Sequence, residues 1–391
     1  MRRGITRREI RPMNHFERFR SAIRLLLCLA AFSVINGVST AAASKPTGTV
    51  IVPADPVVYS DGRRAARYRA NATDQGMVLK HGDGPNQCDI VGARDVWVFQ
   101  YKGVFYMHYD GAGAKGWLSC LATSKDLVHW TKKGPILDFG KPGENDAESA
   151  SYGVTYFDSK TWHMFYLGTP KATPAPDFIP QFPYLTMKAR SKSPLGPWVK
   201  QKDVICLGTK PGTYYPDTAS PGQVIKDGRE YLMFFSASMP RTIGIARTRD
   251  LNGPWKIDPK PALPRAEQIE NTSLYYEKAN KTWFMFTNHV GLAGGLEYTD
   301  AIWVYWTKDL NKWDSNNKAV VLDSKTCTWS KKVIGPPSVL KVGNRLAVLY
   351  DGNADPNAPM DIYESQMHRD VGLAWLNLPL VPPSNTGAKT H

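Results

Sequence analysis

From about Asp95 to Leu380 the chain alternates short apolar stretches with polar breaks, and no run reaches helical length. The alternation repeats. "MHYDGA" (Met107–Ala112), "MFYLGT" (Met164–Thr169), "MFFSAS" (Met233–Ser238), "MFTNHV" (Met285–Val290) and "VLYDGN" (Val348–Asn353) are versions of one hexamer. Each closes a unit that reads as an apolar strand, a polar turn carrying Gly, Asn or Ser, and a second apolar or aromatic strand, as in "DVWVFQYKGVFY" or "SLYYEKANKTWF". These units are β-hairpins by composition: β-branched and aromatic residues suit a pleated, half-buried surface, and Gly or Asn suits the turn. Four units go on through another short strand, such as "GWLSCLA" or "TIGIAR", to a common tail. The tails are "SKDLVHW" (Ser124–Trp130), "SKSPLGPW" (Ser191–Trp198), "TRDLNGPW" (Thr248–Trp255) and "TKDLNKW" (Thr307–Trp313). In them the Asp is expected to cap a turn and the Trp to wedge between neighbouring units.

Hairpin, strand and turn repeated every roughly 50–70 residues is the pattern of a propeller, in which each blade is a small antiparallel sheet. The chain is therefore expected to be all-β, with five blades over Asp89 to Leu380. Residues 44–88 form a segment before the blades, with the stretch Val50–Val58 adding an outer strand that closes the ring, and 381–391 form a tail. A β-sandwich also uses short strands at even spacing, but it needs no fivefold repetition of hairpin and tail. No amphipathic helix of about 12 or more residues follows the N-terminal region.

That region has its own pattern. Arg18, Arg20 and Arg24 precede the apolar run "LLLCLAAFSVI", which ends in the small residues "STAAAS". Charged, apolar and small-residue segments in this order make a signal peptide over residues 1–43, cut near Ala43/Ser44. The run is about half of the roughly 20 residues that span a bilayer, so the mature protein is expected in the periplasm or outside the cell, without stable membrane insertion. Residues 1–43 hold eight arginines against Glu9 and Glu17, so cleavage lowers the formal net charge from +14 to +8. A moderately basic surface is compatible with an anionic glycan, while no long Lys/Arg run argues for a nucleic-acid partner. Cys88, Cys120, Cys206 and Cys327 lie far apart without zinc-site spacing. An oxidising compartment permits disulfides among them without choosing the pairs.

In a propeller the starts of the innermost strands face the mouth of a central funnel. Counting back from the hairpin turns, those starts read "ARDVW", "DAESASYG", "YYPDTASPG", "IENTS" and "IGPPS". Three acids from three blades stand out: Asp95, Asp217 and Glu270. Here the chain resembles the five-bladed β-propeller glycoside hydrolases, the broad group of families 43, 32, 117 and 130, over roughly residues 85–380. "RDVWVF", "YPDTASPG" and "IENTSLYY" fall where family 43 places its base Asp, its pKa-tuning Asp and its acid Glu, and "RDVGLA" near the end is similar to a phrase common in these propellers. The resemblance implies Asp95 as base, Glu270 as acid and Asp217 as the neighbour that keeps Glu270 protonated. The sequence departs from the family 43 pattern at Val96 after Asp95, at Asn271-Thr272 after Glu270, and at Ser220-Pro221 in the usual Asp-Pro slot, so the particular family stays open.

Chemistry independent of the resemblance agrees. Glycoside cleavage needs a proton for the leaving oxygen and a nucleophile or activated water on the opposite face, and strands from separate blades hold carboxyls rigidly at such separations. Arg94, Trp97, Asp146, Glu148, Tyr152, Tyr215 and His289 are the candidate sugar-binding residues, with Asp146 and Glu148 also rivals for the catalytic places, as are Asp89 and Glu297. His289 ends the blade-four hairpin and is expected at the exposed mouth. The Pro-rich insertion Lys171–Leu185 is expected to shape the cleft. Neither cofactor nor metal is expected. The leading reading is an exported, inverting glycoside hydrolase. A carbohydrate-binding propeller would keep the aromatics but need no trio of acids, and a glycoside phosphorylase would need cations for phosphate.

Overall fold

The computed structural model describes residues 48–57, 62–238, 241–293, 296–357 and 364–384. The proposed signal segment lies outside the described residues, as does the tail from residue 385. The fold is a five-bladed β-propeller. Blade one comprises Gly92–Tyr101, Val104–Gly113, Gly116–Ser124 and Trp130–Pro135, each antiparallel to the next. Blade two comprises Ser149–Phe157, Trp162–Thr169, Leu185–Ser191 and Val199–Leu207. In blade three the inner strand is split into Ala219–Ser220 and Val224–Asp227, followed by Glu230–Ala237, Thr242–Thr248 and Lys256–Ile257. Blade four comprises Ile269–Glu277, Thr282–His289, Ala301–Thr307 and Lys318–Asp323.

Blade five takes Ser338–Val342, Arg345–Gly352 and Asp370–Asn377 from the end of the chain, and its outer strand, Thr73–Leu79, from the beginning. The ring is closed by this strand. The expected closing stretch lies elsewhere: Val52–Val57 pairs with Ala66–Arg69, which runs beside the outer strand of blade four. Thr49–Val50 pairs with Leu380–Val381.

The repeated hexamer is the second strand of each blade. Its leading apolar residues, Met107, Met164, Met233, Met285 and Val348, are all fully buried. The tails behave as their composition demands. Asp126 Oδ1 accepts the N–H groups of Val128 and His129, and Asp309 Oδ1 accepts that of Asn311. The tryptophans pack onto the second strand of the preceding blade: Trp198 on His108, Trp255 on Phe165 and Trp313 on Phe234, with ring centroids 5.8, 5.6 and 6.1 Å apart.

Every inner strand carries one extra residue at the same place. Arg94 pairs with Asp110 but Trp97 with His108, and Glu270 pairs with Asn288 but Ser273 with Phe286. Blades two, three and five repeat the offset. The first bulged residues are Asp95, Tyr152, Pro221, Asn271 and Pro336. Asp95, Tyr152 and Asn271 hold φ of +50°, +40° and +49°, a left-handed conformation that bulges impose and that Asp and Asn tolerate best.

A bulged N–H cannot join its own ladder, and each one present is taken by the preceding blade. Asp351 Oδ2 accepts from Asp95 N at 2.7 Å, Asp110 Oδ1 from Tyr152 N, and Ser236 Oγ from Asn271 N at 2.8 Å. In blades three and five the bulged residue is proline and has no N–H to satisfy. Serine caps stitch the ring further along, Ser338 Oγ to Val98 N and Ser273 Oγ to Val339 N. Cys88, Cys120, Cys206 and Cys327 are buried and unbridged. Among the described residues no helix is long and apolar enough to cross a membrane.

Candidate active site

The bulges set the site. By bending each inner strand at its start they turn the preceding residue and the bulged residue toward the funnel, where a pocket of about 280 Å³ opens. Blade one supplies Arg94, Asp95, Asp110 and Trp117, and blade two Ser151, Tyr152 and Leu167. Blade three supplies Ser220, Ser236 and Arg241, and blade four Glu270 and Asn271. Ile179, Pro180, Gln181, Phe182 and Tyr184 wall one side, so the Pro-rich insertion does shape the cleft. Trp117 Nε1 ties that insertion to blade one by donating to Asp177 O at 2.9 Å. From the blade-five side comes Gln366, at the end of the turn Glu364–Gln366. Gly335, at the blade-five place equivalent to Glu270, has no room for a side chain, because a Cβ there would lie 1.8 Å from Asp351 Oδ1.

Arg94 lies at the centre of the electrostatics. Its Nε donates to Asp95 Oδ2 at 3.0 Å, its Nη1 bonds Gln366 Oε1, and its guanidinium stacks over Trp117 at 5.5 Å. Burial disfavours its charge, but Asp95, Asp351, Asp110 and Glu270 outweigh that and push its pKa further up. Across the pocket Arg241 Nε meets Glu270 Oε2 at 2.7 Å, and Asn288 Nδ2 donates to Glu270 Oε1 at 3.3 Å. Behind Asp95, the buried Asp351 bonds Arg369 Nη1 at 2.9 Å.

Asp110 is different. It lies at the blade-one register place that Asp351 holds in blade five, yet no arginine or lysine is within ion-pair distance of it among the described residues. Burial, and then the charge of Asp95, lift its pKa well above the ordinary carboxylate range, against the opposing pull of Arg94 and the Tyr152 N–H. Asp95, on the adjacent strand, has a buried Oδ1 with no N–H or O–H donor. Tyr152 is buried beside both and its phenol is pushed far up, first by desolvation and then by Asp95, Asp110 and Glu270.

Of the residues singled out from sequence, Arg94, Asp95, Tyr152 and Glu270 come together here. The others do not line the pocket. Asp217 lies four residues before Pro221, on the loop leading into blade three. Its backbone bonds Ser238 and Tyr184, and the pocket-facing place in that blade is Ser220. Trp97 points between blades one and two and donates to Thr155 Oγ1 at 2.9 Å. Asp146 is buried under blade two, bonded by Tyr166 Oη at 2.7 Å and Lys200 Nζ at 2.5 Å. Glu148 is exposed on the strand approach. Tyr215 packs on Tyr214 and Phe235.

His289, expected exposed, is fully buried, with Nδ1 2.8 Å from Asp300 Oδ1 and its ring against Trp303. Asp89 is buried and paired with Lys132. The side chain of Glu297 lies outside the described residues. Sequence reasoning missed Asp110, Arg241, Asn271 and Gln366. Asp110 had a visible signal, because "YDG" recurs in blades one and five, whereas nothing in the motifs marks Arg241 or Gln366.

No family model matches the chain. A stretch of 53 residues, 13% of this chain, is 38% identical to part of a 1,2-β-oligomannan phosphorylase of a Thermoanaerobacter species and spans 18% of that protein. Among solved structures, the chain is similar to the catalytic domain of a family 62 α-L-arabinofuranosidase from Coprinopsis cinerea, at 13% identity and a TM-score of 0.57, over 78% of this chain and 96% of that one. It is similar to a family 117 glycoside hydrolase from Zobellia galactanivorans at 16% identity and 0.56, over 82% and 96%. An endo-arabinase from Bacteroides thetaiotaomicron matches at 14% identity and 0.52, over 78% and 98%. At these identities the likeness is one of fold, and the fold is the β-propeller that these glycoside hydrolases share.

Proposed function

We propose that the protein is an exported glycoside hydrolase that attacks an oligo- or polysaccharide end-on, with inversion. The observation that carries this reading is the meeting of carboxyl groups from two non-adjacent blades, Asp95 and Asp110 of blade one and Glu270 of blade four, on the walls of one pocket. Blades one and four are not neighbours in the ring, and Arg94 feels the charge of Asp95, Asp110 and Glu270 alike; inversion asks for a carboxyl separation of about 6.5–9.5 Å, which leaves room for a water. The pocket volume, about 280 Å³, lies just below the roughly 300–1,000 Å³ usual for small-molecule sites, enough for a terminal sugar unit, and the insertion walls one side. Because each pocket arginine already faces a carboxylate, a neutral sugar fits better than the anionic one that the overall charge suggested.

The test is to incubate the protein, begun at Ser44, with a panel of neutral and uronate-containing plant and algal polysaccharides, with and without inorganic phosphate. The expected result is phosphate-independent release of mono- or disaccharide, with the inverted anomer seen first by proton NMR. Retention on a glycan column without any cleavage would instead favour a binding propeller. The local likeness to a phosphorylase makes phosphorolysis the second reading. Against it, phosphate would have to displace Asp95 from Arg94 or Glu270 from Arg241, and phosphate-dependent cleavage would show that it does.

A further inference from the structure

Blades two and five flank blade one in the ring, and a loop from each meets the other at its mouth. Blade two sends the Pro-rich insertion, and blade five sends Ser365–Arg369, just ahead of the strand Asp370–Asn377. Ile179 and Met367, 8% and 3% exposed, pack in one apolar cluster with Ala112 and Trp117 of blade one. Main-chain bonds fix both loops. In the insertion, Thr173 N donates to Ile179 O and Gln181 N to Lys171 O, each at 2.9 Å. On the other side, His368 N donates to Val91 O at 2.7 Å and Ala93 N to Arg369 O at 2.8 Å. The blade-one end of the pocket is thus walled by two loops that brace each other.

Gln366 enters the pocket between fixed points. Ser365 O, on one side, accepts from Arg369 Nε at 2.9 Å, and Met367, on the other, is buried. The half-buried Gln366 side chain lines the pocket. Arg94 decides how its amide is turned. A guanidinium only donates, so the atom that meets Arg94 Nη1 is the amide oxygen, Oε1. Neither Gln366 Nε2 nor Arg94 Nη2 meets an acceptor among the described residues, although both side chains belong to the pocket wall. Asn271 repeats the arrangement on blade four: its Oδ1 accepts from Ser236 Oγ at 3.3 Å, and its Nδ2 stays unspent.

The charges, by contrast, are spent on one another. Arg94 Nε faces Asp95 Oδ2 at 3.0 Å, and Arg241 Nε faces Glu270 Oε2 at 2.7 Å. An ionised ligand finds no uncompensated charge in this wall, whereas a hydroxyl oxygen finds N–H groups ready to donate. The insertion adds Ile179, Pro180 and Phe182, the last 38% exposed. Apolar surface of this kind suits the C–H face of a sugar, as the donors suit its hydroxyl edge.

Resting on the hydrolase reading, we infer that the blade-one end of the pocket is the subsite of a neutral terminal sugar, and that Gln366 is its specificity-determining residue. Gln366 donates from Nε2, with Arg94 Nη2 beside it, to the oxygens of adjacent hydroxyl groups. The braced loops hold the amide in place, and Arg94 holds it in the orientation that donates.

The test measures binding first and turnover second. Arabinose, xylose, galactose, mannose and glucuronate are titrated into the protein begun at Ser44 and into its Gln366→Met variant, with affinity read by saturation-transfer NMR. Methionine keeps the length of glutamine and lacks its donors. At least one neutral sugar is expected to bind the wild type more tightly than glucuronate does, and to bind the variant about 3–10-fold more weakly, the worth of one neutral hydrogen bond. Monodeoxy forms of that sugar then locate the contact. Loss of one particular hydroxyl should weaken binding to the wild type and leave the variant unaffected, a coupling that a merely structural Gln366 does not produce. Gln366→Ala should show the same coupling, which covers the case that methionine disturbs the packing beside Trp117.

Equal affinities in wild type and variants, equal deoxy losses in both, tighter binding of glucuronate, or no neutral sugar bound each overturn the inference. On a glycan that the wild type cleaves, both variants should raise KM and hold kcat, the mark of a contact made equally in ground and transition states. A fall in kcat at constant KM would overturn the specificity role. The two readings fail separately. A neutral sugar bound with this coupling by a protein that cleaves nothing keeps the subsite and ends the hydrolase reading, whereas cleavage that ignores Gln366 ends the subsite alone.

Discussion

His108 is a polar residue in a place the repeat reserves for apolar ones. Register makes it the equivalent of Phe165, Phe234, Phe286 and Leu349. It is fully buried, its Nδ1 bonds Gly153 O at 3.2 Å, and its Nε2 has no partner. Burial lowers its pKa to about 4 from an ordinary 6.5, against the smaller effect of the Gly153 carbonyl. The folded state thus binds this proton more weakly than the unfolded chain does. The stability of the fold is then unaffected by His108 above about pH 6.5, and it falls as the pH drops toward 4, by an amount on the order of 3 kcal/mol. Replacing His108 by Phe, the residue the other blades use, should flatten that part of the stability–pH curve in urea titrations. An unchanged slope would place the acid sensitivity elsewhere. At this same scale the sequence placed Asp95, Glu270 and Asp217 at the funnel mouth, and the pocket walls include the first two and not Asp217. The reason is physical: a carboxyl four residues ahead of a bulge looks near the funnel in the sequence, whereas Asp110, on the second strand and directly across from Arg94, is brought in only by pairing.

Hairpins and tails were legible because their signals are local: alternation, turn residues, and a Trp six or seven residues past a Ser or Thr. The bulge was not, since one extra residue changes no composition while it moves every later side chain to the other face. Its register reassigns Asp95. Glu270 occupies the place before the bulge, whereas in blade one Arg94 holds that place and Asp95 is the bulged residue, equivalent to Asn271 and Pro221. The bulge also predicts which side chains the strands need. Ser236 Oγ takes the N–H of Asn271, the residue after Glu270, so Ser236→Ala leaves a buried donor unpaired, a loss of about 1–3 kcal/mol. Urea unfolding should show that loss, and activity on any glycan cleaved should drop with it because Glu270 is positioned by the same bend. Full stability in Ser236→Ala would mean that water or a shifted carbonyl takes over the N–H.

At the scale of the whole molecule the question is what keeps the ring shut. The sequence pointed to the apolar stretch Val50–Val58, yet the strand that closes blade five is "TDQGMVL", in which only Leu79 is buried. An outer propeller strand has one face in water and needs few apolar residues, so hydrophobicity is a poor guide to it. What holds this one is polar and specific. Asp74 accepts from Tyr350 Oη, Thr328 N and Thr328 Oγ1, each at 2.6 Å, and Trp375 Nε1 donates to Gln75 Oε1 at 2.7 Å. The residues just before it continue the seal. Arg69 pairs with Asp323 at 2.7 Å, and Ala66, Ala70 and Ala72 are buried against blades three, four and five. Without the segment, the backbone edge of Asp370–Asn377 is unpaired and the buried Tyr350 hydroxyl loses its carboxylate acceptor, and an open edge invites pairing with other copies. A protein begun at Ser44 should therefore unfold in a single cooperative transition. One begun at Lys80 should melt far lower or without cooperativity and elute as higher-order species in size-exclusion chromatography. Asp74→Ala, which keeps the strand but removes its acceptor, should fall between them, because Tyr350 Oη then loses its carboxylate acceptor and keeps only the Trp329 Nε1 donor and the weaker Cys327 Sγ contact, a loss of about 1–3 kcal/mol. Equal melting temperatures for the Ser44 and Lys80 proteins would mean that the propeller holds shut on blade-to-blade packing alone, and that Thr73–Leu79 only covers an edge.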